Sequence, residues 1–281
     1  MILFITNIAF AQECPKTTIE RAVIINSTDL DEVSGLSLGS NNTAWVHNDS
    51  GDGPYLYGIN TEDQSIQKVT VQNAFAQDWE DIAIERSELG VFLFIADLGD
   101  NKEKRQQRSI YVIQEPTQNT VEIVSRLDLD YGTLGPKDIE SIAIDPNDHS
   151  LYLTTKGRGG TVFVLNLPLK QHKPSGPIQQ IHSYAIAQPK SKYNPKYVTA
   201  MDISPDGTMM VIRDYTKVKL WTKTKEQNWK DVLPLKPCVL HLPLQPQGES
   251  ISFSEDSSAI WTLSEKEKQP LYELKLHFPH E

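Results

Sequence analysis

Basic charge is scarce in this chain. Lys and Arg number 27 against 37 Asp and Glu, a formal net charge of −10. Phosphate contacts need clustered cations, so a nucleic-acid partner is not expected. The one dense basic run, "KEKRQQR" at 102–108, is interleaved with Glu and reads as a solvated loop. Beyond residues 1–11 no run approaches the ~18 apolar residues of a membrane span. A long helical period is missing, as is a G-x-S-x-G elbow, and neither Ser nor Cys sits in a nucleophile setting. What is there is an ordinary globular composition. With 281 residues and 38% hydrophobic content, the chain can bury a sizeable core.

The N-terminus, "MILFITNIAFAQEC", is apolar through residue 11, and Ala9 and Ala11 form an A-x-A-like site before a polar stretch. This predicts a secretory segment over 1–11, although the usual basic n-region is missing, and one exported, soluble domain over 12–281. A buried N-terminal strand is the alternative. The cysteines, Cys14 and Cys238, would pair in an oxidising compartment or remain as two thiols.

Short runs rich in Val, Ile, Leu, Tyr and Trp, separated by Gly, Asn, Asp and Pro turns, predict strands throughout. One unit recurs. Its starts are "VSGLSL", "WEDIAI", "IESIAI", "VTAMDIS" and "GESISF", which align Ser34, Glu80, Glu140, Thr199 and Glu249. Second and third strands follow in all five units. Fourth strands are visible in four: "IQKVTV", "VEIVSRLDL", "HSYAIA" and "CVLHLPL". The last unit lacks one, and "IERAVIIN" at 19–26 is a spare strand ahead of the first. The expectation is an all-β, five-bladed β-propeller of four-stranded blades, closed by the N-terminal strand so that no edge stays open. A sixth blade hidden around 117–137 or 170–197 is the structural alternative. Closure would also bring Cys14 near the blade that holds Cys238.

In a propeller the first strand of each blade lines the axis. Glu80, Glu140 and Glu249 should therefore converge on one rim, with Ser34 and Thr199 completing the circle and Asp202 further down its strand. Ends of the second strands add His47, Asn48 and Asp49, then Asp97, Asp100 and Asn101, then Lys156 and Arg158, then Arg213 and Asp214, and lastly Glu265. Like charges in a small site raise one another's pKa or hold a cation. An oxygen-rich, sulfur-free set suits Ca²⁺, with Glu80, Glu140, Glu249, Asn48, Asn101 and Asp97 as its ligands. Two other roles stay open: hydrogen bonds from the glutamates to neighbouring blades or pairing with Lys156 and Arg213, and direct catalysis. His47 lacks partners for zinc and reads as a general base or hydrogen bonder. "GRGG" at 157–160 reads as a hairpin turn, and Trp45, Trp79 and Trp261 as blade packing.

The set "HNDSGDGPYLYGIN", "DWEDIAI…LFIADLGDNKEKRQQRSIYVIQEP", "DIESIAID…LYLTTKGR", "DISPDGTMMVIRDY" and "QGESISF" resembles a group of exported bacterial β-propeller proteins, over roughly residues 33 to 265. More distantly the chain is similar to calcium-dependent propellers of the phytase and the gluconolactonase or paraoxonase types. That resemblance implies Ca²⁺ held by Glu, Asn and Asp side chains from several blades. Two classes of function follow. One is a metal-dependent hydrolase of phosphoester, lactone or ester substrates, with Lys156 and Arg213 on the anionic part and His47 or a glutamate moving the proton. The other is a binding module without turnover. A glycosidase is a third reading, and it needs exposed aromatics, for which Trp79, Tyr55 and Tyr215 are the candidates. A monomer is expected, taking a small-molecule or anionic ligand at the axial rim, with a protein partner also open.

Overall fold

The computed structural model describes residues 14–105, 108–129, 131, 135, 137–156, 161–166, 179–183 and 197–279. The expected secretory segment 1–11, the turn expected at "GRGG" and Arg158 lie outside them.

The chain is all-β, with a single helical turn, α1 (Trp229–Val232), among the described residues. Its first sheet unit is β2 (Val33–Leu38), β3 (Thr43–Asn48), β4 (Tyr55–Asn60) and β5 (Ile66–Gln72). The second is β6 (Trp79–Ser87), β7 (Gly90–Asp97), β8 (Ser109–Gln114) and β9 (Thr120–Asp128), and parallel pairing of β5 with β9 fuses these two into one eight-stranded sheet. A third unit is β10 (Ile139–Ile144), β11 (Ser150–Thr155), β12 (Thr161–Asn166) and β13 (Gln179–Ser183); the fourth is β14 (Val198–Ile203), β15 (Met209–Asp214), β16 (Val218–Thr222) and β17 (Cys238–Leu240). The last contains β18 (Ser252–Phe253), β19 (Ala259–Thr262) and β20 (Pro270–His277), and its fourth strand is the N-terminal β1 (Lys16–Ile24), antiparallel to β20. The window 117–137 holds β9, the outer strand of the second unit; of 170–197 only 179–183 and Tyr197 are described.

Burial grades outward across each unit. The strands β2, β10 and β15 are buried on both faces, whereas the outer β5 and β9 alternate between buried or half-buried and exposed positions. Covering both faces of a strand favours a continuous apolar run, which is why "IAI" and "FLFIA" carry no alternation. The first strands are neighbours in a closed cycle, β2 to β6 to β10 to β14 to β18 and back to β2. Five apolar clusters join successive units face to face. Trp45 and Leu56 meet Trp79 and Tyr111; Phe94 meets Ile142 and Phe163; Tyr152 meets Met201 and Trp221; Val211 meets Phe253 and Ile260; and Trp261 meets Leu36, Val46 and Val23 of β1. At one end of the cycle, Ile84, Pro146, Asp202, Pro205, Ser252 and Phe253 from four units line one small cavity of about 80 Å³.

Polar ties pin the first strands. Ser34 Oγ donates to Glu80 O at 2.6 Å and Ser37 Oγ to Ile82 O at 2.7 Å. Asp81 accepts Ile142 N–H at 2.9 Å, and Asp202 accepts Phe253 N–H at 2.7 Å. Cys14 and Cys238 form a disulfide that ties the chain just before β1 to β17. Among the described residues no helix is long and apolar enough to cross a membrane.

Candidate functional site

Each of β6, β10 and β14 breaks register at the same repeat position, between Trp79 and Asp81, Ile139 and Ser141, and Val198 and Ala200. The bulged residues are Glu80, Glu140 and Thr199, members of the aligned set. A bulge re-aims the extra side chain out of the pleat, so these acids leave the packed faces while the strand continues apolar. β2 breaks register in the same region, between Val33 and Leu36.

Two overlapping carboxylate triads result. Asp49, Asp78 and Glu80 place one oxygen each within 4.8 Å of one another, and so do Glu80, Asp138 and Glu140. Asp49 follows β3, and Asp78 and Asp138 stand two residues before the bulged glutamates. Glu80 and Glu140 are each only 3% exposed. Burial first, and then the charge of Glu140, raises the Glu80 carboxyl well above the ordinary carboxylate range. Glu140 is also well raised, by burial, against the opposing pull of Lys156. Asp78 is pushed up to about 6 by burial and then by Asp49.

Cationic compensation is one-sided. Lys156 Nζ lies 2.8 Å from Glu140 Oε1. Burial alone would lower the Lys156 ammonium, but Glu140 and Glu80 outweigh it and the net shift is upward. The triad containing Glu140 thus has an internal cation, and among the described residues no basic group forms an ion pair with Asp49, Asp78 or Glu80. Arg105, whose charge also lowers the Asp78 carboxyl, is committed to Asp97 at 2.8 Å. The loop "DLGDN" presses on this triad at Gly99, where a Cβ would stand 2.0 Å from Glu80 Oε1 and 2.5 Å from an Asp78 oxygen. Only glycine leaves that space open.

The remaining expected site residues separate from this cluster. Glu249 accepts Gln247 Nε2 at 3.3 Å, and it is close enough to raise Glu140 as well. Its stronger partner is Glu265, which burial and the Glu249 carboxylate push up to about 8. Among the described residues none of the three glutamate carboxylates accepts a neighbouring unit's backbone N–H; Asp81 and Asp202 do that work instead. Asp97 accepts Asp78 N–H at 2.9 Å in addition to its Arg105 pair. Asn101 is exposed in a turn. Asn48 donates to Asp29 O at 2.6 Å and to Asp52 at 2.9 Å, while its Oδ1 is buried without a partner among the described residues.

The expected acid–base and anion groups are partly enclosed. His47 is fully buried, its ring edge-on to Trp79 with centroids 5.6 Å apart and its Nδ1 donating to Asn48 O at 2.9 Å. Burial keeps it neutral by lowering its pKa. Arg213 is 1% exposed and donates to Ser250 O, Thr262 Oγ1 and Gln245 Oε1, tying the fourth unit to the fifth rather than facing the acids. Trp45, Trp79 and Trp261 are all buried in the clusters between units, as packing predicts, and Trp79 offers no sugar platform. Lys156 alone of the three stays with the carboxylates.

Asp78 and Asp138 join the carboxylate triads without being in the expected ligand set, although the sequence carries a signal for them. "DWE" and "DIE" spell D-x-E at the same repeat position.

No protein-family model matches the chain, and no curated protein matches its sequence. Among solved structures it is similar to the major Malassezia sympodialis allergen Mala s 1, with a TM-score of 0.58 at 8% identity over 94% of this chain and 99% of that one. It also aligns with hydrazine synthase of Kuenenia stuttgartiensis, with a TM-score of 0.48 at 11% identity over 85% of this chain and 94% of that one. At such identities the first likeness concerns the fold alone.

Proposed function

We propose that this chain is an exported, five-bladed β-propeller, closed by β1, that holds a calcium-like cation at the rim where Asp49, Asp78 and Glu80 meet. Supporting the architecture are the closed cycle of first strands and the five clusters between successive units. The disulfide is consistent with an oxidising, exported setting.

One observation carries the cation: three carboxylates from two units converge beside Gly99 with no ion pair among the described residues, while Lys156 pairs with Glu140 of the adjoining triad. Charges so crowded must take up protons or share a counter-ion. All donors are oxygens, the set preferred by a hard ion. Asp49, Asp78 and Glu80 would hold it, and Asn48 Oδ1 is a buried acceptor on the residue next to Asp49.

When bound, the ion would supply a Lewis acid for an anionic ligand's oxygen. The chain's own part is to exclude water around Glu80, to pair Lys156 with Glu140, and, before the ion binds, to let Asp78 carry a proton below about pH 6. Hydrolysis of an ester, lactone or phosphoester is the extension of this reading. Its alternative is a binding module without metal, favoured by the Lys156–Glu140 pair, which shows that a side chain can supply the counter-charge.

Calorimetric titration of chelator-treated protein with Ca²⁺, beside thermal melts with and without the ion, tests the proposal. One-site binding with proton release and a raised melting temperature is the expected result. Absence of heat and an unchanged melt would sink the cation reading.

A further inference from the structure

A separate cavity of about 390 Å³ opens where the segment joining β5 to β6 meets the second unit, within the roughly 300–1,000 Å³ of ligand pockets. Its walls include Phe75 and Gln77 from the segment joining β5 to β6, Arg105, Ser109 and Tyr111 around β8, and Arg126 from β9. Phe75 is 71% exposed, an unusual setting for a large aromatic ring. Its backbone is nonetheless fixed: Phe75 N–H donates to Tyr111 Oη at 3.2 Å, and Trp79 Nε1 donates to Phe75 O at 2.9 Å. The apolar wall is therefore presented on a held segment.

Two arginines line the same cavity, and the Arg126 guanidinium lies over the Tyr111 ring, 5.9 Å from its centroid. Arg126 uses Nε on Ser109 Oγ at 3.1 Å and on Asp128 at 2.7 Å, and its terminal nitrogens have no hydrogen-bond partner among the described residues. Arg105 donates through its terminal nitrogens to Gly99 O and Asp97, while its Nε is buried without a partner among the described residues. Spare guanidinium donors in a fixed fork recognise carboxylates better than any other common anion except phosphate. Asp97 and Asp128 balance the charge of the two guanidinium groups, so an anion here is held by spare N–H donors and not by net charge, which disfavours a dianion.

We propose that this cleft is a second ligand site, one that takes a monocarboxylate with an aromatic body. The carboxylate lies on Arg126 and Arg105, and the ring lies against Phe75 and Tyr111. This goes beyond the cation reading and does not depend on it.

Phenylacetate is the probe, titrated into the full chain by calorimetry and followed by saturation-transfer NMR, in chelator and again in Ca²⁺. Saturable binding is expected in both conditions, weakened at least tenfold by Arg126→Ala and several-fold by Phe75→Ala. Both substituted side chains are exposed enough to leave folding intact, which a melt confirms. Phenylacetamide, the neutral analogue, should bind at least tenfold more weakly than phenylacetate. Equal affinity for the amide, full affinity in Arg126→Ala, or no saturable binding of phenylacetate each overturns the proposal. Because the chelator arm contains no cation, failure here leaves the Ca²⁺ titration to be judged on its own.

Discussion

Replacing Asp78 by Asn should have opposite effects on stability with and without Ca²⁺. The native carboxyl is pushed from 3.8 up to about 6, first by burial and then by Asp49. Between these values the folded state binds more protons than the unfolded one, so stability falls as pH rises through that window and stays low above it. A rise of this size corresponds to about 3 kcal/mol at 1.36 kcal/mol per pKa unit. Asp78 is half-buried, and solvent screening cuts that to roughly 1–2 kcal/mol. In chelator at pH 8, Asp78→Asn should therefore be more stable than wild type by about that amount, a rise in Tm of roughly 2–6 °C. Near pH 4 the difference should vanish. In Ca²⁺ at a hundred times its Kd the wild type gains about 2.7 kcal/mol, and the variant should gain far less, so the order inverts. Differential scanning calorimetry at pH 4 and 8, with and without the ion, reads all four corners. A variant already less stable in chelator at pH 8 would show that the carboxylate serves a structural partner, and one that keeps the full Ca²⁺ gain would remove Asp78 from the site.

Other consequences are equally direct. Gly99→Ala puts a methyl into the space against Glu80 and Asp78; a loss of about 1–3 kcal/mol and of Ca²⁺ heat is expected, checked by melts and titration. Lys156→Met strands Glu140 and should cost roughly 3–5 kcal/mol at pH 8. That loss should shrink by pH 5, as the raised carboxyls protonate, and urea melts at the two pH values would show whether it does. Reducing the Cys14–Cys238 bond, which closes a sequence separation of 224, should remove roughly 2–5 kcal/mol, with amide exchange rising first in β1 and β17. Deleting residues 12–28 takes the fourth strand from the last unit, and cooperative unfolding by calorimetry should be lost.

The inner strands were legible because burial on both faces writes a dense apolar run, and five repeats of that run fix one another's alignment. Outer strands carry less of this signal. "HSYAIA" reads as a strand at 182–187, and β13 (Gln179–Ser183) begins three residues earlier, with 184–187 outside the described residues; "CVLHLPL" shrinks to the three residues of β17. The four-residue α1 is too short to show a helical period at all.

At the site, the repeat alignment found Glu80 and Glu140 but not the bulges that turn them out of the pleat, because a bulge is one extra residue with no fixed composition. His47 and Arg213 sit at strand ends, which reads as a rim position, yet neighbouring strands cover both. Sequence gives the end of a strand and says nothing of what packs over it. The same limit governs the charges. Counting acids near Lys156 cannot tell which carboxylate its nitrogen reaches, and that choice decides the chemistry: with Nζ 2.8 Å from Glu140, Asp49, Asp78 and Glu80 are left without an ion pair of their own among the described residues, and burial there favours a proton or a cation.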